Sequence, residues 1–164
     1  MAQFILAKET NAPVIAKLRQ SIWAMTYRGI YPDEMIDDFD YEWHTTKDLE
    51  RIHNPEFSVY LIADKTQNAN HPQPIGYLIT KKGNPFLLQS LYILPQYQRL
   101  GIGKQAFSFI KDYCHAHAIS SFICHCQPDN QNAISFYHKM GGKVIAEENE
   151  TERWQSSIIF SFDV

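Results

Sequence analysis

At 164 residues, with 45% apolar and 20% charged side chains, the chain has the length and composition of one globular domain, and residues 1–164 are expected to share a single core. A net charge of −3 gives no basic footprint for nucleic acid, and no apolar run is long enough for a membrane span, so neither partner is expected. The start Met1-Ala2-Gln3-Phe4-Ile5-Leu6-Ala7-Lys8 lacks the basic head and long apolar core of a secretion signal, which points to a cytoplasmic protein.

Gln3 to Ala7 reads as a first strand. Pro13 suits a first helical position, and Val14, Ile15, Leu18, Ile22 and Met25 then recur at helical spacing until Gly29. Pro32 opens a second helical stretch with Asp33 and Glu34 in its first turn. Thr45-Thr46-Lys47-Asp48 has the form of a capping box before a short helix through Ile52. Phe57 to Ala63 is rich in β formers; a polar loop, Asp64 to Pro74, separates it from a strand over Ile75 to Lys81. Gly83-Asn84-Pro85 marks a turn, after which Leu87 to Leu94 returns as a strand. Ile102, Ala106, Phe109, Ile110 and Tyr113 mark one face of a helix ending near His117. Phe122 to Cys126 is a strand, and Asp129 or Asn130 caps a helix carrying Ala133, Phe136, Tyr137 and Met140 that stops at Gly141-Gly142. Val144 to Ala146 is a strand, and Trp154, Ser156, Ile158, Phe160 and Phe162 alternate as the last one. This order predicts an α+β fold with one central sheet.

The cluster Cys114, His115, His117, Cys124, His125 and Cys126 invites a zinc reading. Along a strand, however, Cys124 and Cys126 face away from His125, and a C-x-C without a second pair is poor zinc spacing. Three cysteines without a secretion signal do not make a disulfide framework, so buried apolar cysteines are expected, and no metal.

The most informative stretch is Leu91-Tyr92-Ile93-Leu94-Pro95-Gln96-Tyr97-Gln98-Arg99-Leu100-Gly101-Ile102-Gly103-Lys104. A strand ends at a proline, and a Gly-x-Gly opens a helix whose unbonded N–H groups and dipole suit a phosphate. A P-loop would need Gly at 98 and Ser or Thr at 105, where Gln98 and Gln105 stand. The dinucleotide pattern G-x-G-x-x-[GA] fits Gly101 to Ala106, but only about 60 residues follow, too few for two βαβαβ halves, and no acidic residue stands about 20 positions on.

Gln98-x-x-Gly101-x-Gly103, after a strand ending Ile93-x-Pro95, resembles the acetyl-CoA motif of the GNAT superfamily of N-acetyltransferases, [QR]-x-x-G-x-[GA]. Asn130-Gln131-Asn132-Ala133-Ile134-Ser135-Phe136-Tyr137 resembles that family's second signature, N-x-x-A-x-x-F-Y, at the expected distance. The resemblance implies a GNAT-like fold, a mixed sheet of about seven strands flanked by about four helices.

It also implies acetyl-CoA as co-substrate and acetyl transfer to a primary amine by direct attack in a ternary complex. The acceptor would be a small molecule or a peptide, and the family's frequent dimers leave a homodimer open. Such chemistry needs a neutral amine, N–H donors for the oxyanion, a proton for the thiolate and held geometry. Carried over, Gln98, Arg99, Leu100, Gly101, Ile102, Gly103 and Lys104 hold the pyrophosphate, the last glycine and lysine closing the motif. Ile93 pairs with the pantetheine arm at a bulge and offers the oxyanion N–H, and Asn130 contacts the cofactor or caps its helix.

Tyr137 alone reads as a core tyrosine beside Ala133 and Met140; the motif makes it the general acid. The carboxylate base of some relatives falls on Leu87, and no Asp or Glu occurs from Phe86 to Gln98, so no base is assigned, although His125 and His53 are titratable near neutrality. Gly142 departs from the commonest family form, which has Phe after the glycine. The segment Trp23-x-x-x-Tyr27-x-Gly29-Ile30-x-Pro32 resembles a GNAT subset with the same Gly-Gly and makes Trp23, Tyr27 and Tyr31 candidate acceptor contacts, or an aromatic cluster packing the helices. Asp33, Glu34, Asp37, Asp38, Asp40 and Glu42 form either an acidic rim for a cationic amine or a solvated helix start. A non-catalytic acyl-CoA-binding sensor is the alternative class, and a nicotinamide-dinucleotide-binding protein a third.

Overall fold

A computed structural model describes residues 1–66 and 70–164; the middle of the polar loop expected over 64–74 lies outside the described residues. Strands β1 (Ala2–Leu6), β2 (Phe57–Asp64), β3 (Gln73–Lys81), β4 (Phe86–Ile93), β5 (Ser121–Cys126), β6 (Lys143–Glu148) and β7 (Ser157–Asp163) form one sheet in the order β1-β2-β3-β4-β5-β7-β6. Every neighbouring pair is antiparallel except β4 and β5, which run parallel. The helices are α1 (Ala12–Thr26), the short α2 (Asp33–Asp37), α3 (Tyr41–His53), α4 (Ile102–Ala116) and α5 (Gln131–Lys139). This is the α+β mixed sheet expected from the element order. Among the described residues no helix is long and apolar enough to cross a membrane.

Side-chain alternation along the strands divides the core in two. On one face Ile15, Leu18 and Ile22 of α1 pack on Val59, Leu61, Tyr77 and Ile79. On the other, Ala106, Phe107 and Ile110 of α4 pack on Ile62, Leu78, Leu88, Phe122, Phe160 and Phe162, with Phe136 and Tyr137 of α5 against them. Cys114, Cys124 and Cys126 are buried and unpaired, as small apolar side chains would be.

Three local expectations are corrected. Met25, read into the inner stripe of α1, is exposed, while Arg19 is buried. Thr45 does not start a helix: α3 begins four residues earlier, because Asp40 accepts from the Trp43 N–H at 2.9 Å and so caps it, and Thr45 Oγ1 bonds back to the Tyr41 carbonyl at 2.8 Å. Trp154 is not on the last strand but on a 3₁₀ turn, Arg153–Gln155, that precedes it.

Asp48, read as the end of that capping box, is instead the partner of Arg19. The two meet bidentately at 2.6 and 2.9 Å, Arg51 adds a contact at 3.1 Å, and the guanidinium lies 5.0 Å from the Tyr77 ring centroid. The pair joins α1 to α3 and so fixes the end of α1 that leads into the site. Asp48→Asn leaves a buried guanidinium without its counter-charge and should cost about 3–5 kcal/mol, read as a lowered urea midpoint.

His44 of α3 stacks on Phe39 at 4.2 Å and meets Trp23 edge-on at 5.3 Å. Burial, seconded by Arg19, lowers its imidazole from 6.5 to about 4. The fold therefore prefers the neutral ring, and only the unfolded chain takes up the proton first as the pH falls. Stability should decline between pH 6.5 and about 4, and His44→Phe should flatten the melting temperature across that window.

Candidate active site

The site begins where β4 loses a neighbour. Ladder pairing between β4 and β5 covers only Phe86 to Leu88 against Phe122 to Cys124. On the other edge of β4, Ile79 pairs with Ser90 and Thr80 with Leu88, so Gln89 is an extra, bulged residue. A bulge bends and twists its strand, and this one lies one residue past the last β4–β5 pair. The register shift is thus at Gln89, not at Ile93.

Beyond it, β4 continues to Ile93 beside β3 alone. The Leu94 N–H donates to the Ile75 carbonyl at 2.8 Å. Backbone N–H groups alternate along a strand, so that of Ile93 faces the gap left by β5. Gly76 stands opposite Ile93, where a Cβ would overlap the Tyr92 carbonyl oxygen.

The chain then turns through a 3₁₀ turn, Pro95–Tyr97. The Gln98 amide donates to the Ile93 carbonyl at 2.9 Å, tying the loop to the strand end rather than reaching outward. Arg99 and Gly101 take left-handed backbone angles, φ 62° and 83°. The first N–H of this segment with a backbone acceptor is that of Gln105, bonded to the Gly101 carbonyl at 3.1 Å. Among the described residues, the N–H groups of Leu100, Gly101, Ile102, Gly103 and Lys104 have no acceptor in the chain, as a helix start requires.

The two glycines differ in their reasons. A Cβ on Gly101 would meet open space, whereas one on Gly103 would stand 2.8 Å from Cζ of Phe136. Gly103 therefore also serves the packing of α4 on α5. Asn130 caps α5, accepting from the Ala133 N–H at 3.2 Å.

Tyr137 stands in an aromatic nest with Phe136 and Phe160, both at 5.5 Å. It packs against the buried cluster that includes Cys124, the residue at the last β4–β5 pair. Burial above all, then the Cys124 and Cys126 thiols, raises the phenol well above 10, so it stays protonated. Burial also pushes the Cys126 thiol up to about 12, which makes it unreactive.

The opposite face of the sheet holds a cavity of about 520 Å³. Tyr27, Tyr31, Tyr92 and Trp154 give it aromatic walls, and His125 and Glu150 are its titratable side chains besides the tyrosines and Cys126. Tyr27 and Tyr31 stack at 4.1 Å, and the Tyr27 and Tyr92 hydroxyls share a hydrogen bond of 2.9 Å. Gly29, at φ 82°, allows the turn that brings Tyr31 back over Tyr27. Arg153 grips Asp129 through Nε and Nη2 at 2.9 Å, which ties the turn carrying Trp154 to the loop before α5.

Of the expected acceptor contacts, Tyr27 and Tyr31 line the cavity. Trp23 stands behind them, edge-on at 6.1 and 5.4 Å. His53 is turned to Glu9 and does not line the cavity. The acidic run is partly neutralised from outside: Arg28 meets Asp33 at 3.2 Å and Asp37 at 2.7 Å and holds the Asp37 carboxyl below its usual range, while Asp40 is spent as a cap. Glu150 escaped the sequence reading because it lies on a polar connection with no periodicity to place it, and Trp154, read by alternation as part of the last strand, sits on the turn before it. Among the described residues no group of three His, Cys, Asp or Glu side chains is set to hold a metal ion.

Residues 16–142 match the model of the acetyltransferase (GNAT) family, and the chain belongs to that family. Its fold is that of the PaiA N-acetyltransferase from Thermoplasma acidophilum, solved with coenzyme A: TM-score 0.82 at 21% identity, over 100% of this chain and 99% of that one. An acetyltransferase from Thermus thermophilus aligns at TM-score 0.76 and 16% identity, over 100% and 97%. A spermidine N-acetyltransferase chimera from Vibrio cholerae and hSSAT aligns at TM-score 0.70 and 13% identity, over 99% and 94%. Among curated protein sequences, none matches the chain.

Acetyl-CoA is the co-substrate, in keeping with the family and with the coenzyme A of the Thermoplasma structure, and the open N–H groups and bared strand edge fit its pyrophosphate and its amide-bearing arm. CoA should therefore raise the melting temperature by mass action. Gly101→Asp should keep the fold, because its Cβ meets nothing and Asp tolerates the left-handed region, yet abolish that rise by placing a negative charge among the phosphate donors. Gly103→Asp should instead lower the melting temperature without any ligand, by striking Phe136.

Proposed function

We propose that the protein is an acetyl-CoA-dependent N-acetyltransferase, a single domain over residues 1–164, that passes the acetyl group to a primary amine by direct attack in a ternary complex. The observation that carries the reading is the bared edge of β4 beyond Leu88, which leads into the open helix start, with Tyr137 packed against the cluster that holds Cys124 at the last β4–β5 pair. The pyrophosphate would lie on the N–H groups from Leu100 to Lys104, with Arg99 and Lys104 adding charge. The pantetheine arm would lie along the free edge of β4, and the Ile93 N–H would meet the thioester oxygen as it turns into an oxyanion. Asn130, whose carbonyl oxygen is used as the cap, has its amide N–H groups left for the cofactor.

The burial that holds the Tyr137 phenol protonated defines its share of the work. A phenol held this firmly protonated gives a hydrogen bond to the departing sulfur and relays a proton without becoming phenolate. The unreactive Cys126 and Cys124 thiols support direct attack over an acetyl-cysteine intermediate. The acceptor would enter through the aromatic cavity, with Tyr27 and Tyr31 as its wall and Trp23 as their support. The cavity's ring faces and Glu150 favour a cationic amine over an anion.

Tyr137→Phe keeps the ring and so the packing. It should retain the CoA-induced thermal shift and lose about 10²–10⁴ in turnover, measured as thiol release across an amine panel. Full turnover in this variant would return Tyr137 to a packing role. CoA binding without thiol release from any amine would favour the sensor instead.

A further inference from the structure

We propose that His125 is the base that takes the proton from the acceptor ammonium, held in the required tautomer by Ser157 and Glu148; this rests on the acetyltransferase reading above. No carboxylate stands on β4, so the proton must go to another element. His125 leaves β5 one residue past Cys124, and adjacent side chains on a strand point to opposite faces. Tyr137, packed on the α4 face, and His125, in the acceptor cavity, therefore lie on the two sides of the sheet.

The hydrogen-bond directions settle which nitrogen is free. The Ser157 hydroxyl donates to Glu148 Oε2 at 3.5 Å, so its lone pairs are left to accept. His125 Nδ1 lies 3.3 Å from that oxygen and 3.9 Å from Glu148 Oε2. An ionised carboxylate and an accepting hydroxyl both call for a proton on Nδ1, which leaves the Nε2 lone pair on the far edge of the ring. The imidazole is 42% exposed, so a proton taken up can pass on to water.

The groups facing His125 agree with this role. From β6 comes Glu148, from the following connection Glu150, from β4 Tyr92, and from the end of α1 and its loop Tyr27 and Tyr31. The tyrosines are raised by burial and stay neutral, and no Lys or Arg lines the cavity among the described residues.

The step balances. Nε2 takes one proton from R–NH₃⁺, and the freed lone pair bonds to the thioester carbon. As the tetrahedral intermediate collapses the C–S bond breaks, and the second amine proton passes to the sulfur beside Tyr137. The products are the acetamide, the CoA thiol and one proton, which His125 returns to water.

His125→Gln should lower acceptor kcat/KM by about 10²–10⁴, keep the CoA-induced thermal shift, and abolish the acid limb of the pH profile. Added imidazole should restore part of the rate. Glu148→Gln should lower acceptor kcat/KM by less than His125→Gln does, since the Ser157 hydroxyl still orients the ring. Wild-type kcat/KM in His125→Gln, or a loss that leaves the acid limb in place and that imidazole does not rescue, would overturn the assignment. If wild type is active and Tyr137→Phe impaired while His125→Gln is not, only the base is wrong. If wild type releases no thiol with any amine, the acetyltransferase reading falls and the base with it.

Discussion

A strand that loses its neighbour halfway along is the constraint on which the rest of this structure depends. Backbone N–H and C=O groups need partners, and a β4 edge without β5 has none of its own beyond Leu88. The bulge at Gln89 turns β4 away from β5, while the bare Gly76 keeps the other edge of β4 pressed on β3. One edge is thereby anchored and the other left open. The open edge runs directly into a helix start that is itself short of acceptors. A ligand with amides along its length and phosphates at its end satisfies both.

The opening has two sides, and each is built from a different half of the molecule. The sulfur side belongs to α4, α5 and β7, where Phe107, Phe136, Phe160 and Phe162 hold the Tyr137 ring against the cluster that includes Cys124. The amine side belongs to α1 and the connection between β6 and β7. Its walls are held by contacts far from the cavity: the buried Arg19–Asp48 pair fixes α1, and Arg153 on Asp129 fixes the turn of Trp154. Trp23 and His44 brace Tyr27 and Tyr31 from behind, so the pH response of His44 acts on the wall and not on the chemistry.

The parts legible in the sequence are those whose chemistry is local. The glycine pattern after Pro95 marks an anion site because a helix start needs small residues and free N–H groups within a few positions. The apolar period of α4, the alternation of β7 and the Asn130 cap are likewise written in adjacent residues. What the sequence hid is non-local. Any residue can occupy a bulge, so Gln89 carries no mark of one. Asp48 looked like the end of a capping box because its true partner, Arg19, is 29 residues away. Gly103 answers to Phe136 as well as to a phosphate, and the acidic run looked unopposed because Arg28 lies outside it. The cavity itself draws on the loop after α1, on β4 and β5, and on the β6–β7 connection, segments that share no pattern.

The central claim is that the bared edge of β4 is where the arm of acetyl-CoA lies. Amide hydrogen exchange with and without CoA tests it most directly. The account requires slowed exchange at Leu91 and Ile93, whose N–H groups face the gap, together with Leu100 to Lys104, and little change at Tyr92 and Leu94, already bonded toward β3. Protection confined to the helix start, with Leu91 and Ile93 unchanged, would contradict it.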